Sequence, residues 1–304
     1  MTRGYWPLLL GLAALWGASY LFIKVGVEGG LPPGPLMLAR SLLAGVLLAG
    51  YLAATTGVQR SVAALAAGWR PCLVLGAINA AIPFWLVAWG EKHIDSGIAA
   101  IAQATVPIFS ILAGLRFLPH EPIPAWRLAG VGVGLAGVGV LAGVDPGGGW
   151  WAAAGTLAVV LASAFYASAG IYGQLQIRGV PGPVLATGSM LSGGVLLVPL
   201  AAVELPETDP SGWAILSLLV LTVGGTAAAQ LVLFRVLRLY GARKLSLVTY
   251  LMPGFALAYG AVILDEPVTA PAVAGLALIL VGVALGSGAL RPRRRAALGE
   301  AAAK

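Results

Sequence analysis

The sequence predicts an all-α integral membrane protein, ten transmembrane helices in two five-helix inverted-topology repeats around a central cavity. Three observations carry this: the composition, a series of ten long apolar runs, and an ordered similarity between the two halves. Of 304 residues, 59% are hydrophobic and only 10% are charged, against roughly 25% charged in soluble domains. A soluble fold of this length has too much surface to manage with so little charge, so lipid is the solvent for most of the chain.

A helix needs about 20 apolar residues to cross a hydrocarbon core about 30 Å thick. Taking Pro/Gly clusters and charges as boundaries, such runs fall at 6–27, 35–55, 71–90, 96–117, 125–142, 151–174, 183–203, 213–237, 245–264 and 270–290. They are continuous rather than alternating every second residue, which excludes a barrel. The first run is longer than the apolar core of a signal peptide and leads into Lys24 and Glu28, not a small-residue cleavage site. It is therefore expected to be a retained span.

Charge tests the count. If both termini are cytoplasmic, that side collects Arg3, Arg60, Arg70, Arg116, Arg127, Arg178, Arg235, Arg238, Arg243, Lys244, four arginines from Arg291 to Arg295 and Lys304. That is fifteen of the eighteen basic residues; Lys24 and Lys92 fall opposite and Arg40 within the second span. Such an excess is what the positive-inside rule demands. Nine of eleven acidic residues, Glu91 among them, are expected on the other side. The net charge of +7 thus calls for no nucleic-acid partner, and the basic tail at 291–304 reads as a topology anchor against anionic lipid.

The halves, 1–144 and 150–290, are similar in order. The run from Pro33 to Gly45 aligns without gaps on Pro181 to Gly193, Pro107 and Gly114 match Pro253 and Gly260, and Glu121-Pro122 matches Glu266-Pro267 after a one-residue slip. Gly130 and Gly137 match Gly275 and Gly282, and Tyr20 matches Tyr166. The linker, from Val144 to Trp150, is glycine-rich. Five spans is an odd number, so the second copy enters the membrane from the opposite side. Inverted repeats of this kind hold substrate near the midplane between halves that rock against each other.

The stretch from Trp16 to Lys24, followed by Arg40, resembles the opening of EamA-type members of the drug/metabolite transporter superfamily. The stretch from Tyr250 to Pro267, continuing through Gly275 and Gly282, resembles that family's second-half signature. The resemblance covers nearly the whole chain and implies ten helices, a central cavity, and export of small metabolites. The nearest likeness is to bacterial exporters of aromatic and other neutral amino acids, which implies an inner (plasma) membrane location. Leu264-Asp-Glu-Pro267 and Leu118-Pro-His-Glu-Pro122 depart from the family's usual Leu-Gly-Glu-Pro, in loops only.

Polar residues at membrane depth are costly and face a cavity or a partner helix. Asn79, Gln103 and Gln230 stand out because a carboxamide both donates and accepts. It can hold either end of a zwitterion without placing a charge in lipid; the alternative role is to join helices. Trp16, Tyr20, Trp85, Tyr166 and Tyr250 supply apolar walls with polar tips, as small-molecule pockets require. These eight form the expected substrate-binding set. Pro83, Pro107 and Pro253 interrupt helical bonding in mid-span, freeing the carbonyls of Gln103 (by Pro107) and Thr249 (by Pro253), and are the expected hinges. Lys24 can snorkel to headgroups, whereas the deeper Arg40 should bond backbone carbonyls or a neighbouring helix end; both are expected to be structural or gating residues.

No Asp or Glu lies in the middle of a predicted span. Facilitated movement by alternating access is therefore the expectation, with ion-coupled efflux of drugs or other metabolites the alternative. The midplane offers no anionic site, which favours zwitterionic or neutral cargo over cationic drugs. An enzyme is not expected: HExxH and GxSxG motifs are absent, and His93 and His120 fall on opposite faces. The single Cys72 rules out a disulfide framework or CxxC site. No metal or cofactor is expected, and the partners are a small-molecule substrate and membrane lipid.

Overall fold

The computed structural model describes residues 4–117, 125–142, 149–177, 179–245 and 247–287. Arg3, His120, the Glu121-Pro122 pair, Arg178, the boundary and linker around residue 144, and the basic tail lie outside the described residues. Every regular element among the described residues is helical. The spans in order are Tyr5–Glu28, Pro33–Thr56, Trp69–Gly90, a divided fourth span (Ser96–Gln103 and Val106–Phe117), Ala125–Ala142, Gly149–Gln176, Gly182–Val203, Gly212–Tyr240, Val248–Ile263 and Ala270–Ser287. Eight are long and apolar enough to cross a membrane, and the last two are shorter apolar helices. Each coincides with one of the ten predicted runs.

Local sequence explains several boundaries. The repeated Pro-Gly-Pro motif forms the entry to the second and seventh spans, with proline in the first turn of each, where its missing N–H costs nothing. Ser211 caps the eighth span by accepting from the Ala214 nitrogen at 3.1 Å. One element was not predicted. Gly57, at a φ of +88°, turns the chain into a ten-residue helix, Val58–Ala67, before the third span. Its Val58 and Val62 are exposed while Ser61 is buried, the pattern of a helix lying along a membrane interface.

The helices pack as a pseudo-symmetric set, the fifth against the tenth and the second against the seventh. Glycines set the closest approach. A Cβ on Gly130 would lie 2.6 Å from the Gly282 carbonyl oxygen, and one on Gly137 would lie 2.9 Å from that of Gly275. The repeat alignment equates Gly130 with Gly275 and Gly137 with Gly282, so each contact is the image of the other. This is the self-complementary interface that two-fold symmetry requires, here between two halves of one chain. Small residues let membrane helices approach closely enough for dispersion to hold them.

Mid-span side chains such as Val46, Val195 and Val223 stay exposed on the outside of the bundle, where lipid replaces water. Trp6 and Trp69 are exposed at the end bearing the N-terminus, and Trp150, Trp151 and Trp213 at the far end, forming the two aromatic belts that membrane proteins carry.

Candidate functional site: a cavity between the halves

Two spans depart from α geometry at matching places. Gly76–Ala81 in the third span and Leu221–Ala228 in the eighth are π-helical. The repeat offset of about 146 residues superposes them. A π turn has one residue too many for the α ladder and is found frequently at functional sites. Asn79 lies in the first of these segments, and Gly225 and Thr226 in the second; all three line one cavity.

That cavity encloses about 310 Å³ between the halves, within the range of small-molecule sites. The first half contributes Trp16, Tyr20, Arg40, Asn79, Phe84 and Gln103; the second contributes Tyr166, Thr226, Gln230, Leu233 and Thr249. Six of the eight expected binding residues therefore meet here: Trp16, Tyr20, Asn79, Gln103, Tyr166 and Gln230. Trp85 does not line it. Its indole nitrogen donates to Glu204 Oε1 at 2.8 Å and its ring lies 6.3 Å from that of Trp89. Tyr250 is also absent from the wall and packs half-buried against the core.

The fourth span breaks where Pro107 predicts a bend: its helix stops at Gln103, passes a turn at Ala104-Thr105, and restarts at Val106. The freed Gln103 carbonyl accepts from the Ser163 hydroxyl of the sixth span at 3.4 Å, since backbone inside a membrane must be satisfied by neighbours. Gln103 lines the cavity, and its side-chain Oε1 is buried without a hydrogen-bond partner among the described residues. Pro253 is different: the ninth span runs unbroken through it. The expected pair of matched bends is therefore one break and one continuous helix. Pro83 follows the π segment without a break in the helix, so its missing N–H leaves a carbonyl of the π turn without its ladder partner.

Arg40 is 6% exposed, and its partners are not the carbonyls or helix end expected. Its Nε donates to Thr226 Oγ1 at 2.9 Å, one guanidinium nitrogen meets Met37 Sδ at 3.6 Å, and its Cζ lies 4.0 Å from the Phe84 ring centroid. Thr226 belongs to the other half, so this bond joins the two halves. No carboxylate lies within ion-pair distance of Arg40 among the described residues.

The cavity reaches Leu233 and Thr249 near the end of the bundle that bears the N-terminus. The opposite end is tied shut. Glu266 accepts from Ser96 N, Ser96 Oγ and Gly97 N at 2.8, 2.8 and 3.1 Å. Glu204 accepts from Gly34 N at 2.7 Å. Both carboxylates belong to the second half and cap helix N-termini of the first, where the helix dipole favours an anion. Gly29 O also accepts from Ser211 N at 2.8 Å. Lys24 does not snorkel outward. It donates to the Glu91 and Ile94 carbonyls at 2.9 and 3.0 Å and pairs with Glu28 at 3.2 Å.

Glu91, one residue past the third span, is wholly buried at this closed end, with neither carboxyl oxygen hydrogen-bonded among the described residues. Burial pushes its carboxyl well above the ordinary range, against the pull of Lys24. His93 stacks on Trp151 at 5.2 Å and meets Trp89 edge-on at 4.7 Å. Burial, then Lys92 and Lys24, lower its pKa, which keeps the ring neutral at pH 7. Position relative to a span end put both residues at this end of the bundle and gave no sign of their burial.

Residues 5–143 and 153–287 each match the EamA-like transporter family. The chain is 30% identical over 195 residues to the inner membrane transporter YedA of Escherichia coli strain K12, covering 62% of this chain and 59% of that protein. The chain thus spans about three fifths of that relative. It is 26% identical over 306 residues to a probable amino-acid metabolite efflux pump of Salmonella typhimurium, covering 97% of this chain and 99% of the pump. A probable terminal-alkyne amino-acid exporter of Streptantibioticus cattleyicolor is 32% identical over 143 residues, 47% of this chain and 46% of the exporter. One crystal structure shares the fold at a TM-score of 0.62 and 22% identity, covering 92% of this chain and 95% of that one. With both halves of the chain matched in sequence and ten apolar helices folded around a shared cavity, this protein belongs to the EamA-like transporter family.

Proposed function

We propose that this transporter exports small neutral or aromatic amino acids and related carboxylate-bearing metabolites by alternating access between its halves. The observation that carries the reading is Arg40, a buried guanidinium in the cavity wall without an ionic partner among the described residues. A buried cation is costly unless paired, and a substrate carboxylate supplies the pair. Asn79 and Gln103 in the same wall carry carboxamides suited to an ammonium, and Trp16, Tyr20 and Tyr166 suit an apolar or aromatic side chain. The names of the Salmonella and Streptantibioticus relatives agree with this cargo, and that of YedA with a bacterial inner membrane. With the termini cytoplasmic, as the basic residues favour, the cavity opens inward, ready to load from the cell.

The test is efflux of radiolabelled amino acids from proteoliposomes, without an imposed ion gradient. Saturable efflux of neutral or aromatic amino acids, reduced at least about tenfold by Gln103→Ala or Asn79→Ala, is expected; loss of one such contact is worth about 1.4 kcal/mol. Efflux of the matching decarboxylated amines at equal rate would defeat the reading. Ion-coupled efflux of drugs or other metabolites is the second reading, and the buried Glu91 carboxyl is the observation in its favour. Flux that appears only under a pH gradient would select it.

A further inference from the structure

We propose that Glu91 is a proton-binding site that fastens the far end of the transporter, holding a proton while that end is closed and losing it when that end opens. This rests on the alternating-access reading but on different residues from the substrate site.

The charged and titratable groups that act on Glu91 are Lys24, Glu28 and Tyr20 on the first span, Arg40 on the second, and Glu266 from the loop before the tenth; the sixth span, packed against the same helix, brings only Gly155 and Val159 beside the neighbouring Gly90. Neither cation pairs with the Glu91 carboxyl. An ammonium has three donors, and those of Lys24 reach the Glu91 carbonyl, the Ile94 carbonyl and Glu28, none the Glu91 carboxyl. Arg40 faces the cavity and lies beyond ion-pair distance of the Glu91 carboxyl. Glu266 and Glu28 are like charges and disfavour a second anion nearby. An ionised carboxylate left buried without hydrogen bonds costs many times what the neutral acid does. The closed end therefore holds Glu91 as the acid.

Opening changes that balance. The links that tie the far end across the halves, Glu266 to Ser96 and Gly97, Glu204 to Gly34 and Ser211 to Gly29, are the ones a rocking motion must break. Water then reaches the carboxyl, which returns toward its ordinary range and ionises. The closed state has the higher pKa, so closure takes up a proton. Closure is favoured below the ordinary carboxylate range and is weakened as pH rises through the raised closed-state value. Glu91 does not line the central cavity, so it takes up and gives off its proton at the far end, and the device needs no proton to cross the membrane. The device is a pH-sensitive fastening and is compatible with uncoupled export.

The experiment uses Val87→Cys, which lines the cavity one turn before Glu91, in a Cys72→Ser background. Proteoliposomes of uniform orientation are labelled with a membrane-impermeant maleimide from one side or the other. The ratio of far-side to near-side labelling rates cancels the thiol's own titration. That ratio is expected to rise with pH, by up to about tenfold per unit for a single proton. Glu91→Gln, which copies the neutral acid, should hold it at the low-pH level, and Glu91→Asp should restore a pH dependence. A ratio flat with pH, or one that rises equally in the Gln variant, would overturn the proton site and leave alternating access standing. No far-side labelling at any pH would overturn alternating access and this inference with it.

Discussion

At the scale of single residues, the cavity wall combines groups that are expensive in a membrane with chemistry that a small zwitterion can satisfy. Arg40 is the most costly of them. Its Nε is anchored by Thr226 and its face is covered by Phe84, which leaves terminal N–H groups for a planar, two-point grip on a carboxylate. A lysine keeps the charge but not the fork. Arg40→Lys should therefore raise the half-saturation concentration for amino-acid efflux about tenfold, and Arg40→Gln about a hundredfold or more, with little effect on any cargo that lacks a carboxylate. Concentration-dependent efflux from proteoliposomes checks both; equal losses for carboxylate and non-carboxylate cargo would reduce Arg40 to a structural role. Much of this wall was legible in the sequence, because an amide such as Asn79 or Gln103 has few reasons to be at membrane depth. Trp85 was not, since its placement depends on a partner, Glu204, that lies 119 residues away. Glu91 was hidden by a boundary. One residue past the helix end reads as water, yet the bundle closes over it.

Among the elements, the pairing of the fifth and tenth spans shows how repeat and packing express the same fact. The glycines that align between halves are those that touch each other, and a Cβ on Gly282 would lie 2.5 Å from the Gly134 nitrogen. Backbone cannot yield as a side-chain tip can, so Gly282→Val should overpack the interface, at a cost of 1–3 kcal/mol or more by order of magnitude. Thermal unfolding in detergent should show a clear loss of stability. Gly132→Val is the control. It lies on the exposed face of the same helix pair with nothing within 4 Å of an added Cβ, and valine in a helix costs only about 0.7 kcal/mol or less relative to the best helix former. The glycine positions were readable in advance, but their contacts were not, because the repeat alone does not say which faces meet. The π segments in the third and eighth spans were also invisible to hydropathy. Extra residues in a ladder leave no compositional trace, and only their matching places in the two halves point to function.

For the whole molecule, composition, span count and repeat were enough to foretell a ten-helix architecture, since lipid admits few solutions for the backbone. The conformational state was beyond sequence, because opposite arrangements use the same helices and differ only in which end is tied. Here the carboxylates of Glu204 and Glu266 seal one end, and the cavity runs toward the other, at Leu233 and Thr249. If the basic residues set the topology as the positive-inside rule requires, the tied end faces outward and the open end the cytoplasm. Leu233→Cys in a Cys72→Ser background should then react with an impermeant maleimide in inside-out vesicles and be protected in intact cells. A saturating amino-acid substrate should slow the reaction by occupying the cavity. Reaction from the outside of intact cells, with no reaction in inverted vesicles, would reverse the assigned topology. The cavity would then accept its cargo from outside, and uptake would replace export as the direction that this resting state serves.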